Sequence, residues 1–179
     1  MITLIIELNA KLQPIHRVEM FEEPLEKALQ EADVGELVGG GTLQLITGEI
    51  KNCDIELSIK EDEKERVISF IQRIKIIPKG SKIICGETTA SIGSAEGMAI
   101  YLNGTDLPSE IYQTNDVNEL ISCLEDAIGE KGHMYSWWEG SKETALYFYG
   151  QSFNEMKEAV KSVISTHPLC NMSRIEQIA

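Results

Sequence analysis

The chain is poor in positive charge: 16 Lys and Arg stand against 29 Asp and Glu, a net charge of −13 and a sequence pI near 4.7. Such a chain repels phosphate backbones, so nucleic acid is excluded as an expected direct partner. It has no apolar run near the roughly 18 residues that a membrane span needs, and Met1 leads into Ile2-Thr3-Leu4-Ile5-Ile6 with no basic leader. A cytoplasmic protein without membrane association is expected. Only four cysteines occur, Cys53, Cys85, Cys123 and Cys170, spaced 32, 38 and 47 residues apart. There is no C-x-x-C, no His at zinc-finger spacing and so no expected metal site; each thiol sits among aliphatic residues and reads as a buried, reduced hydrophobe. His16, His133 and His167 are scattered, each without a spaced partner.

Catalytic signatures are missing as well. No Ser-His-Asp constellation, H-E-x-x-H, Walker or Rossmann fingerprint appears, so no catalytic residue and no cofactor is assigned. Gly39-Gly40-Gly41-Thr42 superficially resembles a phosphate cradle, but it lacks the Gly-Lys-Ser/Thr ending and leads into a strand. Three glycines there mark a bulge, or a place where another group comes close.

What is present is a globular composition, 42 % hydrophobic and 25 % charged over 179 residues, enough for one medium domain or two small ones. Thr3 to Leu12 alternates as a strand with Leu4, Ile6 and Leu8 on one side. Pro24 opens a helix whose stripe is Leu25, Ala28, Leu29 and Ala32. Leu37 to Ile46 and Glu49 to Ile59 form a hairpin around Thr47-Gly48, a helix follows the Glu61-Asp62-Glu63 cluster, and Ser81 to Gly86 is a last strand. The order is β-α-β-β-α-β.

The same order returns: strand Gly97 to Asn103, helix Val117 to Ile128, strands His133 to Trp138 and Thr144 to Tyr149, a helix capped by Ser152 with Glu155, and strand Met172 to Ile178. Leu8 aligns with Leu102, Leu29 with Leu124, Val67 with Val160 and Ile83 with Ile175, all at offsets of 92 to 95 residues. An α+β fold follows, a tandem duplication in which each half resembles the ferredoxin-like βαββαβ sandwich, with both helices on one face of an antiparallel sheet. The expected domains are residues 1–87 and 97–179, joined by a small, polar linker over 88–96.

If helices cover the aliphatic side, the open face of the first half presents Glu7, Asp54 and Glu56, and that of the second presents Tyr101, Tyr147 and Tyr149. Tyr135 and Trp137 extend the aromatic face, and Trp138 points the other way. Carboxylates and rings together suit a cation, through charge-assisted hydrogen bonds and cation–π attraction of roughly 0.5 to 2 kcal/mol per ring. The plain alternative is an aromatic face that is simply packed. Asn103 and Asp106, in the turn-rich segment Leu102-Asn103-Gly104-Thr105-Asp106-Leu107-Pro108, mark the loop best placed to meet a ligand or partner.

The glycine run with Gly48-Glu49-Ile50 and Cys53-Asp54-Ile55-Glu56, together with the Asn103 loop, resembles short uncharacterised bacterial proteins of this length. In size, acidity and want of catalytic motifs the chain is also similar to bacterial immunity proteins that neutralise toxins, a likeness of role that transfers no site residues. The reading of the sequence is therefore an acidic, non-enzymatic binding protein for a basic protein partner. The alternative is a small-molecule regulator or enzyme using a cleft between the repeats, with Asp54, Glu56, Asp106 and Tyr147 near the ligand. A homodimer through an uncovered aromatic face stays open.

Overall fold

In the computed structural model, which describes Met1 to Ala179 throughout, the chain forms two compact units, Met1–Ala95 with Ala179, and Glu96–Ile178. The first unit begins with β1 (Ile2–Leu8), in which Leu4, Ile6 and Leu8 are buried and the residues between them are not. Its helical layer starts ten residues earlier than Pro24 suggests: α1 (Pro14–Arg17) runs through a π-helical turn (Val18–Glu22) into α2 (Glu23–Glu31). Pro14 takes the opening position, where its missing N–H costs nothing. The hairpin of β2 (Gly35–Gln44) and β3 (Ile50–Ile59) follows, then a 3-10 turn (Glu61–Glu63), α3 (Lys64–Ile71) and β4 (Ser81–Cys85).

The expected linker is instead partly a fifth strand, β5 (Thr88–Ile92), paired antiparallel with β4. Cys85 faces Thr88 across a two-residue loop whose first member, Gly86, has φ +58°. A glycine in that place is a hairpin signal, and the polar Thr-Thr-Ala-Ser composition conceals it. After β5 the chain turns at Gly93 (φ +88°), where a Cβ would lie 2.0 Å from the Pro78 carbonyl oxygen. Ser94 and Ala95 then donate to the Ile77 carbonyl.

The second unit has β6 (Glu96–Asn103), α4 (Ser109–Thr114), α5 (Val117–Ile128), β7 (Gly132–Glu139), β8 (Glu143–Gly150), α6 (Phe153–Thr166) and β9 (Arg174–Gln177). Asp116 caps α5 by accepting from Asn118 N at 2.8 Å, and Ser152 caps α6 by accepting from Glu155 N at 3.4 Å. Met98, Ile100, Leu102, Leu146 and Phe148 of the sheet pack with Leu120, Leu124, Met156 and Val160 of α5 and α6. Helices thus cover the aliphatic face.

Strand order is β2-β3-β1-β4-β5 in the first sheet and β7-β8-β6-β9 in the second. Without β5 these are one topology, the 2-3-1-4 order of a ferredoxin-like βαββαβ sandwich, and the chain is a tandem duplication of it. The registers superpose as well: Ile6 and Leu8 face Ile55 and Cys53, and Ile100 and Leu102 face Leu146 and Thr144. No helix is long and apolar enough to cross a membrane.

Candidate functional site

The acidic residues lie where alternation places them. Glu7 faces Asp54, Ile5 faces Glu56, and neither strand turns these side chains towards the helices. Carboxylates directly opposite each other repel, which concentrates negative potential on this face. Lys82 relieves Glu7 alone, with its Nζ 3.5 Å from the Glu7 carboxylate.

The glycines explain how Asp54 and Glu56 reach the margin of the sheet. On β2, Gly41 stands opposite Asp54 and Gly39 opposite Glu56, with Val38 in a bulge between Leu37 and Gly39. A Cβ on Gly41 would come 2.7 Å from Asp54 Oδ1, and one on Gly39 would come 3.8 Å from Glu56 Oε2. Asp54 leans across the space a side chain would occupy. β2 is the sheet's edge, with a strand on one side only, and none of its ten residues is buried. Val38 and Leu43 on it, and Leu45 and Ile46 in the turn beyond, are exposed aliphatics. A carboxylate pair therefore sits one strand in from a free edge, behind glycines.

Gly40 faces the other way. Its missing Cβ would strike Glu22 Oε1 at 2.5 Å and sit 3.3 Å from Arg17 Nε. Arg17 is buried; its Nε donates to Glu22 Oε1 at 2.5 Å, and its Nη1 donates to the Gly41 carbonyl at 2.8 Å and to Thr42 Oγ1 at 2.6 Å. This ion pair, carried by α1 and the π-helical turn, clamps the helical layer onto β2. Nothing in a one-residue pattern marks Arg17 as internal, and the sequence reading passed over it. Beside it Cys53 is buried, and the loss of hydration pushes its thiol up to about 12, leaving it protonated and unreactive at neutral pH.

The aromatic face corrects the expectation of an open surface. Tyr101, Tyr147 and Tyr149 are all buried, along with Ala99 and Ala145 between them, so none of the three is available at the surface. Large rings hold most of the apolar area on this side, and burying that area is their stabilising role. Tyr135 stacks on Tyr149 with centroids 4.6 Å apart, and burial pushes its phenol up to about 12. Tyr101 already has its cation: Arg174 Cζ lies 3.6 Å over the ring, held by Glu143 at 3.0 Å and by Glu176.

Trp137 belongs to the opposite face from the one its alternation with Tyr135 predicts. Tyr135 occupies a bulge: Met134 pairs with Phe148, but Ser136, not Tyr135, pairs with Tyr147. Every later residue of β7 is consequently flipped, so Trp137 faces Leu146 on the helical side and Trp138 faces Ala145 on the tyrosine side. There Trp137, 40 % exposed, lines a hollow of about 440 Å³ together with Leu102, Asn103, Tyr112, Ile121 and Glu139. Asn103 is thus beside Trp137, and Asp106 is joined to it through Asn103 Nδ2 at 3.1 Å. Asn103 Oδ1 accepts from Thr105 N and Asp106 N, and the Tyr112 hydroxyl donates to the Asn103 carbonyl at 3.2 Å while accepting from Leu107 N. The loop is a self-bonded rim. Glu7, Asp54 and Glu56 thus gather on one sheet, Asn103, Asp106 and Trp137 at one end of the other, and the three tyrosines inside.

No family model and no curated protein matches the chain. Solved structures of several functions are similar in outline: a chlorite dismutase variant from Candidatus Nitrospira defluvii (8 % identity, 98 % of this chain and 90 % of that one, TM-score 0.34). The two RNA recognition domains of Sex-lethal from Drosophila melanogaster show 14 % identity over 97 % and 98 %, with TM-score 0.31. The regulatory subunit of aspartate kinase from Thermus thermophilus shows 13 % identity over 90 % and 92 %, with TM-score 0.28. These scores are low, and the fold assignment rests on the strand order. No group of three or more His, Cys, Asp or Glu side chains is placed to hold a metal ion.

Proposed function

We propose that this is a non-enzymatic binding protein whose first unit receives an extended, basic segment of a partner protein along the β2 edge. One observation carries the reading: Asp54 and Glu56 stand behind side-chain-free Gly41 and Gly39, one strand in from an edge with no neighbour. A strand added there gains main-chain hydrogen bonds, and its Lys or Arg side chains on the open-face side reach over the glycines to the carboxylates. The exposed Leu43, two residues beyond Gly41 on the same face, and Val38 in the bulge add apolar contact beside the carboxylates. The net charge of −13 favours encounter with such a partner before contact is made. Capture of this kind suits an inhibitor or immunity role towards a basic toxin.

The test uses a fluorescent peptide of alternating Lys and Val, titrated into the full-length protein and followed by anisotropy. Binding is expected to weaken at least about tenfold in the double variant Asp54→Lys, Glu56→Lys and to fall with added salt. A control reversal at Glu158, on the exposed surface of α6, is expected to change affinity little. Equal binding of a Gln-Val peptide, or indifference to the double reversal, contradicts the proposal.

A further inference from the structure

The duplication allows the hollow in the second unit to be read against its twin in the first. Ile55 faces both Ile6 and Gly40, and Cys53 faces both Leu8 and Thr42. In the second unit Leu146 faces Ile100 and Trp137, and Thr144 faces Leu102 and Glu139. By register, Trp137 therefore stands where Gly40 stands, and Glu139 where Thr42 stands. In the first unit that place is filled from within, by the Arg17 guanidinium resting against Gly40 and donating to Thr42 Oγ1. In the second unit no side chain fills it, and about 440 Å³ is left between the sheet and α5.

We infer that this hollow is a binding site for a small organic cation, a guanidinium or ammonium group on an apolar stem. Its volume is in the range of small-ligand sites. Glu139 is the one charged side chain of the lining, so a cation is the charge it accepts, and the Trp137 indole lines the same hollow, where cation–π attraction would add to the ion pair. Leu102, Ile121 and Leu146 provide an apolar floor for the stem. Where the first unit supplies its own cation and its own carboxylate, Glu22, the second keeps a carboxylate and leaves the cation to come from solution. The site lies wholly within the second unit and does not depend on the function proposed for β2.

The probe is hexylguanidinium, titrated into full-length protein carrying Trp138→Phe, so that Trp137 is the sole indole reporter. Saturable change in its fluorescence is expected, with the neutral isostere hexylurea binding at least about tenfold more weakly. Glu139→Gln is expected to remove most of that preference; because Glu139 is exposed, the variant should melt as the parent does. Ile121→Phe, which narrows the hollow without adding an indole, is expected to abolish the response. Equal affinity for the guanidinium and the urea overturns the inference, as does cation binding that survives Ile121→Phe or is indifferent to Glu139→Gln.

Discussion

The two units share a topology and a register, and they spend the two faces of their sheets in opposite ways. On the face away from the helices the first unit carries Glu7, Asp54 and Glu56, whereas the second carries buried Tyr101, Tyr147 and Tyr149. At the end of the helical face the first is plugged by Arg17 and Glu22, whereas the second is hollow beside Trp137 and Glu139. A duplicated fold thus keeps its hydrophobic framework and varies what lies at equivalent positions outside it. Charge on one sheet and rings on the other separate a charged face from a packed one.

Removing rings should hurt most. Tyr147→Ala is expected to cost about 3–5 kcal/mol in chemical denaturation, as for other large side chains lost from a packed interior. Asp54→Ala on the acidic face should stay within about 0.5 kcal/mol of the parent. A comparable loss at both positions would erase the contrast between the faces. Next in size is Arg17→Ala, which strands the Glu22 carboxylate and should cost about 3 kcal/mol; the double variant Arg17→Met, Glu22→Leu should recover most of it.

Alkaline pH sharpens the same division, because the shifted acids are the packed ones. Cys53 is pushed to about 12 from 9.0, Cys170 to about 11, and Tyr135 to about 12 from 10.0, each by burial. In the unfolded chain these groups lose their protons first, so the folded state holds more protons above pH 9. Stability is accordingly full below that point and declines as pH rises towards 12. Urea midpoints measured across this window check it, and Cys53→Ala should flatten the fall. Gly41→Ala is small in stability as well, because its new methyl meets the movable end of Asp54. It should leave the midpoint within about 1 kcal/mol and still weaken the Lys-Val peptide, by pushing the carboxylate away from the edge.

Much of the framework was legible in the sequence, because aliphatic alternation on β1, β3 and β6 and the 3.6-residue stripe of α5 are strong, local signals. Val117–Ile128 forms the helix that the stripe predicts, between the Asp116 cap and Gly129. Three features escaped. β5 hid behind Thr and Ser, the helical layer began at Pro14 before any apolar stripe develops, and the Tyr135 bulge reversed Trp137. A bulge adds one residue without any required composition, so alternation counted along one strand goes wrong beyond it. The acids were placed on the correct face because no bulge interrupts β1 or β3 between Glu7 and Asp54. The tyrosines were placed on their correct face too, but alternation tells which side a residue takes and not what covers that side.

Hydrogen–deuterium exchange of the full-length protein, with and without the Lys-Val peptide, compares the two sheet edges in one experiment. The account predicts new protection over Val38 to Gln44 of β2 and none over β7, the matching edge of the second unit. Protection that appears on β7 and spares β2, or exchange unchanged on both at saturating peptide, would contradict it.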